Sequence, residues 1–282
     1  MSARALVAGA GYVGAELARR LVAAGHDVTV LRRSAAPPLA GARPFRADLS
    51  APGALDALPP VDVVFYTAGA DERSDAAYER AYVTGMARLV ERLARMPAPP
   101  RRLLFTSSTS VYAQQNGEWV DETSPTEPAG FAGRRLLEGE ARALAAPFPA
   151  SVLRLGGIYG PGRTTLLERV RSGAPGSRRF TNRIHRDDAA AALAHLAFLP
   201  DAAACHLGVD SEPAPEAEVL AWLAARLGVA LPCASEPPAS GETRRSSGNK
   251  RCSNARLLAT GFRFRYPTYR EGYEALLRGR DA

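Results

Sequence analysis

Apolar residues in this chain come in two spacings. Short, nearly continuous apolar runs at 4–8, 26–31, 43–46, 61–66, 102–106, 150–155 and 205–209 read as strands. Between them lie segments with helical signals. Residues 12–24 carry Val13, Leu17, Leu21 and Val22 near helical period, and Gly25 stops them. Residues 51–58 read as a helix ended by Pro59-Pro60, and 75–96 as a long helix stopped by Pro97, Pro99 and Pro100. Residues 132–146, 166–171, 187–199, 215–227, 254–259 and 269–278 complete the helical set, and 232–250, rich in Pro, Ser and Gly, reads as a mobile loop. Continuous apolar strands alternating with helices predict an α/β fold: a doubly wound parallel sheet covered on both faces. After Gly156 the pattern loosens. The expected organisation is a core over 1–155, to which 185–209 returns, with 156–184 and 210–282 forming a smaller lobe.

Composition narrows the partners. The formal net charge is +7, and the excess is carried by arginine, because Lys250 is the only lysine in 282 residues. The arginines are scattered as pairs (Arg32-Arg33, Arg101-Arg102, Arg134-Arg135, Arg178-Arg179, Arg244-Arg245) and form no single basic stripe with interleaved aromatics, so nucleic acid is not an expected partner. No run reaches the ~18–20 apolar residues of a membrane helix. Residues 1–4 lead straight into the first strand and a patterned glycine loop, which reads as structure and not as a cleaved signal. Cys205, Cys233 and Cys252 contain no C-x-x-C pair, and the four histidines lack metal-ligand spacing. No metal is expected, and the setting expected is the reducing cytoplasm.

The chemistry begins where the first strand ends, in Gly9-Ala10-Gly11-Tyr12-Val13-Gly14, a G-x-G-x-x-G. The first glycine permits a tight turn, the second lets backbone approach a pyrophosphate, and the third lets helix and strand pack closely. The helix that opens there offers unpaired N–H groups and a positive dipole end to phosphates. Strand, glycine loop and helix in this order predict a Rossmann dinucleotide site. The second strand ends in Arg32-Arg33 with no acid to hold ribose hydroxyls. Two guanidiniums suit a 2′-phosphate, so the expected cofactor is NADP, with NAD as the other candidate; a solvated arginine pair is the alternative. Asp48 and Leu49 follow the third strand, where the carboxylate can accept from an adenine amino group or cap the next helix. Thr67, Ala68 and Gly69 end the fourth strand, either beneath the cofactor or as a simple turn.

These motifs in this order resemble the short-chain dehydrogenase/reductase superfamily, and more narrowly its extended or atypical branch, the NAD-dependent epimerase/dehydratase family. Phe105-Thr106-Ser107-Ser108-Thr109-Ser110-Val111-Tyr112 is similar to that family's serine-rich segment after strand five, which implies Ser108 as the catalytic serine. Leu153 to Arg163 resembles its Arg…Tyr-Gly-Pro-Gly segment, and Asn182 to Asp188 its His-x-Asp-Asp segment. The resemblance also implies an active Tyr-x-x-x-Lys pair one helical turn apart. Here that stretch reads Phe131-Ala132-Gly133-Arg134-Arg135. Phe131 has no hydroxyl, and Arg135 keeps a charge it cannot release as a proton. No tyrosine lies between Tyr112 and Tyr159, so no register slip restores the pair. Tyr82 also stands where the family usually has asparagine.

The family resemblance therefore implies an NAD(P)-binding oxidoreductase or epimerase with altered acid–base residues. Its substrate would be a small carbonyl or sugar-nucleotide-like molecule, polarised by Ser108 in the positive field of Arg135. Tyr112, Tyr159 and His185 are the titratable candidates for the missing phenol; packing, or a helix-start hydrogen bond for His185, is the other role open to them. Arg163, Lys250, Arg251 and Asn254 are candidates to reach an anionic substrate, Arg163 equally reading as a solvated loop residue. A non-catalytic NADP(H)-binding regulator or redox sensor is the alternative function. The two long helices at 75–96 and 132–146 resemble those that build homodimer contacts in the family.

Overall fold

Leu6 and Ala8 of β1 (Arg4–Ala8) point to one side of a sheet, Ala5 and Val7 to the other, and all four are buried. A strand apolar on both faces needs a layer on each side, and the rest of the chain supplies it. The computed structural model describes residues 2–35, 37–230 and 248–279. β2 (Asp27–Arg32), β3 (Ala42–Arg46), β4 (Val63–Tyr66), β5 (Arg102–Ser108), β6 (Ala150–Leu155) and β7 (Cys205–Gly208) join β1 in one seven-stranded sheet of order β7-β6-β5-β4-β1-β2-β3. Every pairing in it is parallel. The order reverses at β1, and the chain leaves β1 and β4 in opposite directions there. That divergence opens a crevice at the carboxyl ends of the strands.

On one face, α1 (Tyr12–Ala23) buries Val13, Leu17 and Leu21 against Leu193 and Leu196 of a late helix at Arg186–Phe198. On the other face lie Met86, Leu89 and Leu93, together with Leu136 and Ala143. The predicted strands are all present. Short strand pairs that the apolar pattern did not mark lie outside the main sheet: Gly157–Tyr159 with Arg183–His185, Phe180–Thr181 with Ala214–Pro215, and Glu118–Val120 with Lys250–Cys252. A separate small core of Leu167, Val170, Leu220, Leu223, Tyr269 and Tyr273 gathers around Tyr159. No helix among the described residues is long and apolar enough to cross a membrane.

Three expectations change. Residues 51–58 form successive turns, not a helix, because Gly53 takes φ +69°, outside the right-handed helical range; Leu55 and Leu58 are still buried. The predicted helix 75–96 is divided into α2 (Asp75–Tyr78), a π-helical turn (Glu79–Thr84) and α3 (Gly85–Ala94). The cause is tertiary. The Tyr66 hydroxyl of β4 donates to the Ala81 carbonyl, and the Gly85 N–H reaches one residue further back, to the Arg80 carbonyl. A side chain inserted into the ladder widens the helix by one residue. The loop predicted at 232–250 lies mostly outside the described residues, but its last member, Lys250, begins the short strand Lys250–Cys252 and is itself buried.

α4 (Phe131–Leu144) is fastened to the sheet by charge. Glu140 accepts from Arg154 Nη2 of β6 at 2.6 Å and from Ser107 Oγ of β5 at 2.6 Å, while Arg154 Nη1 donates to the Tyr112 hydroxyl at 2.7 Å. All four residues are buried. Glu140→Leu leaves the Arg154 guanidinium buried without its counter-charge and lowers unfolding free energy by about 3–5 kcal/mol, whereas Glu140→Leu with Arg154→Met regains most of that loss. Urea midpoints of the parent and both variants check this; a single variant as stable as the parent contradicts it.

Candidate functional site

The crevice at the switch point is a groove of about 350 Å³. Its floor is Gly9, Ala10 and Gly11; its walls are Leu31 to Ser34 after β2, Ala47 to Ser50 after β3, and Tyr66 to Gly69 after β4. The widened helix closes it with Ala77, Arg80 and Ala81. Of the expected cofactor residues, the groove brings together Gly9, Gly11, Arg32, Arg33, Asp48, Leu49, Thr67, Ala68 and Gly69. Tyr12, Val13 and Gly14 are not among its lining residues.

Backbone crowding explains the three glycines separately. Gly9 has φ +102°, and a Cβ there would sit 2.3 Å from the Ala68 nitrogen. A Cβ on Gly14 would sit 2.1 Å from the Gly9 carbonyl oxygen and 2.5 Å from Thr67 Oγ1. Thr67 itself donates to that same carbonyl at 2.5 Å, latching β4 to the loop. Gly11 is different: nothing lies within 4 Å of its would-be Cβ, and the space there is the groove. Gly11 also caps α1 without any side-chain bond to the first turn, which holds no acidic residue. Unpaired first-turn N–H groups beside a bare backbone fit a dinucleotide diphosphate.

The polar rim completes this picture. Arg32 Nη1 donates to the Pro37 carbonyl at 3.3 Å, and Arg33 Nη2 to Asp71 Oδ2 at 3.0 Å. Asp48 Oδ1 accepts the Ser50 N–H at 2.8 Å and its hydroxyl at 2.7 Å, and those bonds hold its carboxyl below the usual range. Asp48 thus shapes a turn while still bordering the groove. Tyr12 ties the start of α1 to the later loop, donating to the Pro161 carbonyl at 2.9 Å under the guanidinium of Arg163. Arg163 also donates to the Ile158 carbonyl at 3.0 Å. Arg80, Asp71 and Ser34 were not foreseen; each reaches the groove from a loop or helix whose path depends on the fold.

The residues expected to carry chemistry lie around the end of β5 and the start of α4. Ser108 closes that strand and its Oγ accepts the Ser110 N–H at 3.1 Å, capping the turn Thr109–Val111. Phe131 opens α4, its ring edge-on to Tyr78 at 5.4 Å, and Tyr78 leans on Tyr82 at 5.3 Å. An aromatic box therefore fills the ground where a Tyr-x-x-x-Lys pair was sought. Arg135 does not lend a free positive field as expected: Asp75 receives it at 2.8 and 3.0 Å and Glu138 at 2.9 Å. The alternative titratable candidates are each engaged within the fold. Burial pushes the Tyr112 and Tyr159 phenols up, with Tyr112 bound to Arg154 and Tyr159 stacked on Tyr273 at 4.5 Å. His185 is buried and pulled down to about 4 by desolvation; its Nδ1 accepts the Asp187 N–H at 3.1 Å, as the cap of the helix Arg186–Phe198. Arg251 Nε donates to the Gly117 carbonyl at 2.7 Å, Asn254 Nδ2 to the Val209 carbonyl at 3.0 Å, and Lys250 Nζ to the Tyr112 carbonyl at 3.2 Å.

Comparison with known proteins identifies the chain's relatives. The model of the NAD dependent epimerase/dehydratase family matches residues 5–192. A Streptomyces 3-diazoavenalumate denitrifying reductase is 33% identical over 95% of this chain and 98% of the relative. A 2-alkyl-3-oxoalkanoate reductase of Stenotrophomonas maltophilia is 34% identical over 78% of this chain and 74% of its own. The solved structure of an NAD-dependent epimerase/dehydratase-type protein from Methylobacillus flagellatus superposes with a TM-score of 0.84 at 38% identity, covering all of both chains.

Two stability measurements follow from the site. Gly9→Ala and Gly14→Ala each lose about 2 kcal/mol or more, by strained φ or overlap, while Gly11→Ala stays within about 1 kcal/mol of the parent. Equal losses at all three positions, read by denaturant midpoint, contradict the assignment. The second concerns Asp210, buried at the end of β7 and raised to about 8 by desolvation, against the opposing pull of Arg183 and beside Glu212 and Glu271. The folded protein keeps that proton while the unfolded chain releases it near pH 4, so stability declines as pH rises from about 4 to 8. His185 and His206, both near 4 when folded, act oppositely below pH 6.5, where the unfolded chain takes up the protons. The Asp210 effect is therefore separated from those of the two histidines between pH 6.5 and 8, and Asp210→Asn removes a decline of roughly 1–2 kcal/mol there. Unchanged pH dependence in that variant contradicts it.

Proposed function

The chain belongs to the NAD-dependent epimerase/dehydratase family, and from that premise we propose that it is an NADP(H)-dependent reductase of a small carbonyl compound. The observation that carries the reading is the groove's rim. Arg32 and Arg33 leave β2 beside the glycine loop, with no carboxylate at the strand's end to hold ribose hydroxyls. Guanidiniums are suited to a 2′-phosphate through charge-assisted, bidentate bonds. Two relatives named reductases support the direction of the chemistry. When bound, the nicotinamide would supply hydride.

The chain's own residues do the rest. First-turn amides of α1 bind the diphosphate over Gly11, and Thr67 keeps Gly9 and Gly14 in register beneath it. Ser108 donates to the substrate carbonyl at the end of β5. The proton on the carbonyl oxygen falls to a group other than Phe131. Tyr78, half-buried and in ring contact with Phe131, is the phenol at that position. The free thiols Cys205 and Cys252 suit a reducing cytoplasmic setting. A second reading, an NADP(H)-binding regulator without turnover, is favoured by the Phe131 ring and the compensated charge of Arg135.

Fluorescence or calorimetric titration separates these readings. NADPH binds more tightly than NADH; Arg33→Ala and Arg32→Ala each weaken NADPH about tenfold while sparing NADH, and Gly11→Ala weakens both by filling the groove. NADPH oxidation with a panel of ketones and 3-oxo acids then identifies the reductase, and binding without turnover identifies the regulator. Binding of neither nucleotide overturns both.

A further inference from the structure

The outer lip of the groove holds an ion pair that bears directly on nucleotide choice. Arg33 Nη2, leaving β2, meets Asp71 Oδ2, on the loop after β4, at 3.0 Å. Both residues line the groove, and their side chains are 60% and 50% exposed. Arg80, presented by the π-helical turn, lines the same groove, and its charge reaches Asp71. The bond from Arg33 is the main cause that holds the Asp71 carboxyl below its ordinary range, with Arg80 adding to it. Among the described residues Arg80 has no carboxylate within 4 Å, so its charge acts across the groove on Asp71 and Asp48.

One carboxylate thus bonds one guanidinium and feels the charge of a second at the place proposed for the 2′-phosphate. We propose that Asp71 is a specificity-determining residue, which competes with the 2′-phosphate of NADP(H) for Arg33 and passes to Arg80 when the phosphate displaces it. The inference rests on the reading that this groove takes NADP(H). An exposed pair exchanges at small cost, so the displacement is cheap, but it is not free. The carboxylate lowers NADP(H) affinity by the strength of the bond it must surrender, and leaves NAD(H), which has no phosphate to seat there, unaffected. Arg80 acts through Asp71: it steadies the displaced carboxylate and does not itself grip the phosphate.

The test uses the full chain with four probes: NADPH, NADH, 2′-phospho-ADP-ribose and ADP-ribose, with Kd measured by calorimetry. Asp71→Asn tightens both 2′-phosphorylated probes about two- to fivefold, the range an exposed ion pair commands, and changes the other two little. Arg80→Ala weakens the phosphorylated probes in the parent but has no effect on them in Asp71→Asn, which a double-mutant cycle reads as coupling. Thermal melting of the variants, all at exposed positions, checks that each is folded. A parent that prefers NADPH while Asp71→Asn leaves the preference unchanged overturns this inference and leaves the NADP(H) reading standing. Selective loss of NADH in Asp71→Asn overturns it too, because Asp71 would then hold ribose hydroxyls. An Arg80→Ala loss that persists in the Asp71→Asn background overturns the relay to Arg80. A parent that binds none of the four probes removes the NADP(H) reading, and this inference with it.

Discussion

How closely α1 approaches β1 decides much of what this molecule is. The Gly14 backbone lies against the Gly9 carbonyl, and Thr67 from β4 binds that same carbonyl. Three elements meet there with no room for a single methyl group. The result is a helix that opens at the sheet's switch point, beside the groove, with no side-chain cap on its first turn. A looser junction would set the helix off the sheet, and the groove would lose the partial positive charge that suits it to a diphosphate.

From that junction the rest of the site is positioned by rigid strands. The ends of β2, β3 and β4 carry Arg33, Asp48 and Thr67 to one crevice through parallel pairing alone. Tyr66 extends the same logic to the helix beyond. Its hydroxyl opens the helix ladder at Ala81, and the π turn that results brings Arg80 and Ala81 to the groove. On the far side of β5, the buried set of Ser107, Glu140, Arg154 and Tyr112 holds α4 in place, and with it the Phe131–Tyr78 ring pair. The glycine-loop side and the α4 side are therefore anchored by different devices: one by close backbone contact latched by the Thr67 hydroxyl, the other by a desolvated ion pair.

What could be read from the chain follows from this division. The strands were legible because burial on both faces writes itself as continuous apolar runs, and the glycine loop because steric exclusion at 9 and 14 demands a residue without a side chain. The breaks were not. The π turn depends on a hydroxyl from Tyr66, fifteen residues away from the carbonyl it binds. The helix expected at 51–58 was undone by one left-handed glycine, Gly53, which local apolar spacing does not reveal. Arg135 looked like a free cation because its partner, Asp75, sits sixty residues earlier. Glu140 was visible in principle: an acid on the same stripe as Leu136 and Ala143 points into a core and asks for a counter-charge. Asp71 carried no such signal, since nothing in its neighbourhood along the chain forecasts Arg33.

Amide hydrogen exchange in the presence of saturating NADPH examines the junction itself. The N–H groups of residues 11–14 should slow strongly on binding, with smaller changes at 67–69 and 31–34, and with residues 248–279 little altered. Tight NADPH binding that leaves exchange at 11–14 unchanged would put the nucleotide elsewhere and contradict the assignment of this groove.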